Sequence, residues 1–198
     1  MNQPGLEGID VLGSNLSNVL NAFGSFQMLA SRIMSEEQLG QLNAEGLVLF
    51  DPDKWYPVTR WLATLRRVGK EYGDKMLMDA GLAVPKNAVF PPFVKDIDSA
   101  LQSIDVAYHM NHASNGEPMF NPATGKMAEG IGHYGYQRVQ GQKKIIAEVT
   151  APYPCPFDNG LILSMARRFE KTANVSHDAS KPCRNKGGQS CTYVITWA

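Results

Sequence analysis

The chain has 198 residues, of which 43% are hydrophobic and 19% charged, and its 19 basic and 19 acidic side chains leave no formal net charge. This balance argues against direct binding of nucleic acid or of an anionic membrane surface, and the size suits one globular domain with or without an N-terminal extension. The start shows no secretory signal and no apolar run approaches the length of a membrane span, so we expect a cytoplasmic protein that does not enter a membrane.

Residues 14–33 predict an amphipathic helix, because apolar side chains recur at helical spacing from Leu16 to Ile33. The apolar stripe is long enough to serve as a dimer interface, although packing on its own domain would explain it equally well. We therefore interpret residues 1–45 as an N-terminal helical extension and candidate element of a homodimer. Residues 46–198 are then the ligand-binding domain.

Three further helices precede a sheet-rich C-terminal half. Pro57 suits the first turn of one helix, Ser35 can start a short helix before it, and Asp96 or Asp98 can open another. The later predicted elements are strands over residues 131–139 and 143–149, a helix from Phe157 to Phe169, and closing strands over residues 174–177 and 192–197. This order predicts an α+β fold in which N-terminal helices pack on an antiparallel sheet, with a C-terminal helix and a closing hairpin around a metal site.

The three cysteines carry the clearest chemical signal. Cys155 precedes the predicted C-terminal helix, and the loop between Cys183 and Cys191 contains two glycines that allow it to fold back. Zinc prefers four thiolate or imidazole ligands in a tetrahedron, and His177 or Asp178 could supply the fourth. Such a closed site would be structural. The alternatives are three buried free thiols or a disulfide between the two cysteines of the loop.

The stretch from Tyr153 to Leu161 (YPCPFDNGL), followed by His177-Asp178 and by the segment from Cys183 to Val194, resembles the 4-vinyl-reductase-type small-molecule-binding domain. That family includes the sensor domains of phenol-responsive bacterial transcription activators, and its fold is similar to that of haem-nitric-oxide-binding domains and trafficking-complex subunits. The resemblance covers residues 129–197. It implies a zinc site formed by the cysteines and an acidic residue, and a pocket for a hydrophobic or aromatic small molecule between the helices and the sheet.

The resemblance also implies that a histidine before the sheet and an aromatic residue within it contact the ligand. His109 and His112 lie three residues apart at the end of a predicted helix, and Tyr134 and Tyr136 lie on one face of a predicted strand. These four residues are therefore the candidates for ligand binding. The alternative for each of them is an ordinary side chain of the core.

Three functions compete on these observations. The first is a sensor domain with structural zinc that acts through a partner protein or through oligomerisation. It is favoured because the sequence has no nucleophile motif, phosphate loop or His-Glu-x-x-His, so we do not expect an enzyme. The second is vinyl-group reduction or a tetrapyrrole-binding accessory role, although no nucleotide fingerprint is present for a hydride donor. The third is a haem gas sensor with His109, His112 or His133 as axial ligand, although the Tyr-x-Ser-x-Arg signature is absent.

Overall fold

Helices and short antiparallel strands alternate along the chain in the computed structural model, which describes residues 5–198 apart from the side chain of Asn87. The helices are α1 (Gly13–Ala22), α2 (Gln27–Glu36), α3 (Val58–Tyr72), α4 (Asp74–Ala83), α5 (Ile97–Met110) and α6 (Cys155–Arg167). Short 3-10 turns span Gly24–Phe26, Val84–Asn87 and Arg184–Lys186. The strands are β1 (Ile9–Leu12), β2 (Trp55–Pro57), β3 (His112–Ser114), β4 (Glu117–Pro118), β5 (Phe120–Asn121), β6 (Lys126–Met127), β7 (Gln137–Arg138), β8 (Lys144–Val149), β9 (Asn174–His177) and β10 (Cys191–Thr196). The α+β prediction is confirmed.

Two four-stranded sheets flank the helices. One has the order β2-β1-β3-β4 and the other the order β7-β8-β10-β9, while β5 and β6 form a separate two-stranded sheet. In the second sheet Tyr193 lies opposite both Ala147 and His177, and Cys191 lies opposite Val149. This register brings the end of β9 beside the start of β10, which is where the sequence predicts the metal site.

The predicted helix over residues 14–33 is divided into α1 and α2. Gly24 adopts a positive φ of 55° and begins the 3-10 turn between them. The helix predicted to start at Ser35 is wrong, because Gln38 adopts a positive φ of 59° and the chain leaves α2 there. Residues of α1 and α2 are buried in the same core as the rest of the chain, and β1 pairs with β2 and β3. The division at residue 45 and the homodimer remain predictions.

Helices α4 and α6 cross in direct backbone contact. A Cβ atom added to Gly81 would overlap the carbonyl oxygen of Phe157, and one added to Gly160 would overlap the carbonyl oxygen of Met78. Only glycine permits so close an approach of two backbones. The crossing fixes α6, whose first residue is Cys155, against the helical layer.

Helix α5 begins as the sequence predicts. The carboxylate of Asp96 accepts a hydrogen bond of 2.7 Å from the backbone N–H of Ser99, which is a capping interaction. The strand predicted over residues 131–139 is mostly irregular, with regular pairing at Gln137–Arg138 and an isolated bridge from Tyr134 to Val149. No helix within residues 5–198 is long and apolar enough to cross a membrane.

Candidate functional site

Four side chains from separate segments converge at the closing hairpin. Cys155 lies at the start of α6, His177 at the end of β9, Cys183 at the start of the returning loop and Cys191 at the start of β10. One ligand atom from each of these residues lies within 4.8 Å of the others. This set of three thiols and one imidazole is one that zinc prefers.

The distances between the sulfur atoms distinguish a metal site from a disulfide. The Sγ atom of Cys155 lies 3.3 Å from that of Cys191 and 3.9 Å from that of Cys183, and the Sγ atoms of Cys183 and Cys191 are 3.9 Å apart. A disulfide needs about 2.05 Å. Two thiolates on one tetrahedral zinc ion are about 3.8 Å apart, given Zn–S bonds of about 2.3 Å. The spacing of the sulfur atoms therefore suits a shared metal ion, and the alternative of a Cys183–Cys191 disulfide is not what the geometry shows.

Of the two candidates for the fourth ligand, His177 is in the cluster and Asp178 is not. The ring of His177 stacks on Tyr193 at 5.1 Å between ring centroids, and its Nε2 atom is buried without a hydrogen-bond partner among the described residues. The carboxylate of Asp178 accepts hydrogen bonds from the backbone N–H and the hydroxyl of Ser180 instead. Burial and the nearby Arg184 lower the pKa of His177, which favours the neutral, ligating form.

The loop between Cys183 and Cys191 folds back as its glycines predict. Gly187 has a positive φ of 84°, and a Cβ atom on Gly188 would lie 2.8 Å from the backbone nitrogen of Cys183. The N–H of Arg184 points at the sulfur of Cys191, 3.4 Å away. Burial and the neighbouring Cys191 raise the pKa of the Cys155 thiol. The pKa of Cys191 is lowered instead, because hydrogen bonds from Arg184 outweigh the raising effect of burial.

A buried ion pair connects this loop with the interior. The guanidinium of Arg184 pairs with the carboxylate of Asp158, and their side chains are only 9% and 0% exposed. The hydroxyl of Tyr134 donates a hydrogen bond of 2.6 Å to the same carboxylate. Burial raises the pKa of Asp158 to about 6, although Arg184 and Tyr134 act in the opposite direction. The loop between Cys183 and Cys191 and the core are therefore joined by one buried ion pair.

Three of the four candidate ligand-binding residues surround the ring of Tyr108. The ring centroids of His109, His112 and Tyr134 lie 5.4, 4.5 and 5.3 Å from its centroid. Tyr136 lies apart, because its hydroxyl donates to Asp98 at the start of α5. Tyr134 lies opposite Val149, and the N–H of Gly135 donates to the carbonyl oxygen of Glu148, so the backbone here keeps the register of β7 against β8. The common face of the two tyrosines remains a prediction.

The protonation of His112 follows from its partners. Its Nδ1 atom lies 2.7 Å from the carbonyl oxygen of Tyr108 and must donate to it, so Nε2 accepts from the hydroxyl of Tyr153 at 3.1 Å. Burial lowers the pKa of His112 to about 4. His112 is therefore a neutral, fully satisfied side chain of the core.

A cleft of about 430 Å³ opens beside the four converging side chains and is lined in part by Cys155, His177 and Cys183, with Lys181 and Lys186 at its edge. A second surface cleft of about 350 Å³ lies between α6 and the 3-10 turn that follows α4. The first cleft brings solvent to the side chains of Cys155 and Cys183.

The described residues adopt the fold of haem nitric-oxide/oxygen-binding (H-NOX) domains. The chain is similar to an H-NOX protein from S. oneidensis, with 14% identity, a TM-score of 0.62 and coverage of 94% of this chain and 96% of that one. It is also similar to the Cs H-NOX protein, with 12% identity, a TM-score of 0.63 and coverage of 94% and 96%. An oxygen-binding H-NOX domain related to soluble guanylate cyclases is 13% identical, with a TM-score of 0.59 and coverage of 93% and 94%. No family model and no curated protein matches the chain, so the resemblance to the vinyl-reductase-type domain remains a prediction.

Sequence reasoning missed Asp158 and Arg184 as parts of the site. Asp158 interrupts the apolar side of α6, and an acidic residue among buried positions is a signal that could have revealed it. Arg184 carried no such signal, because it lies in a polar loop and its partner is 26 residues away in sequence.

Proposed function

We propose that this protein is a small-molecule sensor domain whose C-terminal hairpin is closed by a structural zinc ion bound to Cys155, His177, Cys183 and Cys191. The observation that carries the zinc site is the convergence of the four ligand atoms within 4.8 Å. Four protein ligands leave no open coordination position, which is typical of structural rather than catalytic zinc.

Bound zinc would supply a fixed tetrahedral centre that neutralises the thiolate charge. The residues of the chain do the rest: α6 presents Cys155 from a rigid helix end, and stacking on Tyr193 orients the ring of His177. The N–H of Arg184 stabilises the sulfur of Cys191. The site thereby ties α6 to β9 and β10, in addition to the hydrogen bond of 3.0 Å that the hydroxyl of Tyr193 donates to the carbonyl oxygen of Cys155.

The sensing role is supported by the fold, which is shared with domains described as haem- and oxygen-binding. The ligand would lie near Tyr108, where His112 and Tyr134 also meet, and a hydrophobic or aromatic molecule suits rings of this kind. Arg184 and Asp158 would transmit a change there to the metal-binding loop. The output would pass to a partner protein or to a second copy of the chain.

Elemental analysis of the purified protein tests the zinc site. The wild type should contain stoichiometric zinc, and Cys183→Ser and His177→Gln should lose it. In both variants the loop between β9 and β10 should be cleaved faster by protease. The matched control is Asp178→Asn, which should keep its zinc. If Cys183→Ser retains stoichiometric zinc and unfolds at the wild-type temperature, the proposed site is wrong.

Haem binding is the second candidate function, and the fold similarity together with His109 favours it. The Nδ1 atom of His109 lies 2.8 Å from the carbonyl oxygen of Asp105 and must donate to it, while Nε2 is buried without a partner among the described residues. A histidine arranged in this way fits an axial ligand. However, the rings of Tyr108 and Tyr134 pack beside it, so the macrocycle could bind only if these rings moved apart.

Absorbance separates the two functions. Protein produced with a supply of haem should show an intense Soret band if haem binds, and His109→Gln should remove that band. A colourless protein that carries zinc would contradict haem binding and leave the zinc-stabilised sensor domain unaffected.

A further inference from the structure

A second group of metal-ligating side chains lies about the middle of the chain, apart from the cysteines. Asp105 and His109 are four residues apart on α5 and so share one face of the helix, and His133 approaches them from the irregular segment before β7. One ligand atom from each of these three residues lies within 4.8 Å of the other two.

The individual contacts suit coordination. The Oδ2 atom of Asp105 lies 3.0 Å from Nδ1 of His133. Ligand atoms on one ion with bonds of about 2.0–2.2 Å are about 3.0–3.5 Å apart. The imidazole rings of His109 and His133 stack at 4.8 Å between centroids, so one ring must turn for both nitrogens to reach a shared ion.

His109 provides the independent observation. Its side chain is completely buried, its Nδ1–H is used by the carbonyl of Asp105, and the lone pair of Nε2 has no partner among the described residues. A buried acceptor without a partner destabilises the fold. A metal ion would use that lone pair, and a ligating histidine commonly donates its other ring N–H to a backbone carbonyl in this way.

Neighbouring groups hold the other two ligands in place. The backbone N–H of Tyr134 donates to Oδ1 of Asp105 at 2.9 Å, and the carboxylate of Glu129 lies 3.1 Å from Nε2 of His133. The side chains of Asp105 and His133 are 18% and 35% exposed, so water can reach the site and complete the coordination.

We propose that Asp105, His109 and His133 form a second metal site, for a divalent first-row transition ion that keeps exchangeable water ligands. Two imidazoles and one carboxylate suit such ions better than Mg²⁺ or Ca²⁺, which prefer oxygen ligands alone. The site is independent of the cysteine site, because none of its residues belongs to the closing hairpin. It also competes with the haem candidate, since both use Nε2 of His109.

Titration of the metal-free protein with Co²⁺ tests the proposal, because the two sites give different spectra. Cobalt bound to thiolates has a strong charge-transfer band in the near ultraviolet, whereas cobalt bound only to nitrogen and oxygen shows weak visible bands. We expect both signals in the wild type. Cys183→Ser should lose the charge-transfer band alone, and His133→Gln should lose only the cobalt that lacks thiolate ligands.

Asp105→Asn keeps an acceptor for the N–H of Tyr134, so a loss of Co²⁺ binding in this variant would not be due to misfolding. The substitution should lower the affinity of the second site for Co²⁺ by at least about tenfold. Even partners outside the ligand shell contribute about 10–100-fold to metal affinity. Asp79→Asn, which alters an exposed carboxylate paired only with Lys75, is the control and should bind as the wild type does. If the wild type binds only thiolate-ligated cobalt, or if the folded His133→Gln and Asp105→Asn variants bind Co²⁺ as the wild type does, the proposal is overturned.

Discussion

Replacing Arg184 by glutamine should destabilise the protein far more than an ordinary loop substitution. The change removes the cation that faces Asp158, whose side chain is 0% exposed. Breaking a buried ion pair from one side costs about 3–5 kcal/mol. The control is Lys75→Gln, whose ion pair with Asp79 is 84% and 55% exposed and should contribute no more than about 1 kcal/mol.

The loss should depend on pH in a defined direction. Burial raises the pKa of Asp158 from 3.8 to about 6 in the folded wild type. A carboxyl group with a raised pKa contributes stability that is complete below its unfolded pKa and is lost as the pH rises through its folded pKa. Without Arg184 the pKa of Asp158 in the folded protein should rise further. The free energy of unfolding of the variant should therefore lie furthest below that of the wild type at neutral pH, and closest to it under acid conditions.

Urea unfolding at about pH 8 and about pH 5, with the free zinc concentration held constant, measures both effects. The double variant Arg184→Gln/Asp158→Asn should be more stable at about pH 8 than the sum of the two single changes predicts, because it leaves no buried charge without a partner. A deficit of less than about 1 kcal/mol for Arg184→Gln, or one that is equal at both pH values, would refute the reasoning.

Two further substitutions test the packing and the buried network. Gly160→Ala places a methyl group against a backbone carbonyl of α4 and should cost about 1–3 kcal/mol in thermal or urea unfolding, whereas Gly69→Ala meets only the movable end of a leucine and should cost less; equal effects would contradict the backbone contact. Tyr134→Phe removes a hydrogen bond to a fully buried carboxylate and should cost about 1–3 kcal/mol, while Tyr136→Phe, whose partner is partly exposed, should cost less. Comparison of the two unfolding midpoints decides, and a larger loss for Tyr136→Phe would show that the buried network has been misread.

The closing part of the fold was predictable because its signals are local. The strands predicted over residues 174–177 and 192–197 match β9 and nearly match β10, and the helix predicted from Phe157 matches most of α6. Alternating apolar residues and a loop with two glycines are sufficient for such a hairpin. The convergence of Cys155, Cys183 and Cys191 followed from ligand chemistry and from the family resemblance, while the identity of the metal remains a prediction.

The remaining features depend on contacts between distant residues. β1, β2 and β3 have only three or four residues each, and their pairing is decided by the packing of the helices rather than by any alternation of their own. The hydroxyls of Tyr134 and Tyr136 find their partners, Asp158 and Asp98, on two different helices, and no period of two reveals these partners. The pairing of Asp158 with Arg184 joins an apolar helix to a polar loop, and no short-range pattern predicts it.

The contact between Gly81 and Gly160 has a mechanical consequence. Because backbone lies on backbone there, no side chain at the crossing itself can change rotamer to absorb a displacement. A shift of the Cys155 end of α6 must therefore carry α4 with it as a rigid unit. Helix α4 continues into the 3-10 turn that lies beside Arg167 and Arg168. A displacement of Cys155 would therefore change the shape of the cleft that these two arginines line at the opposite end of α6.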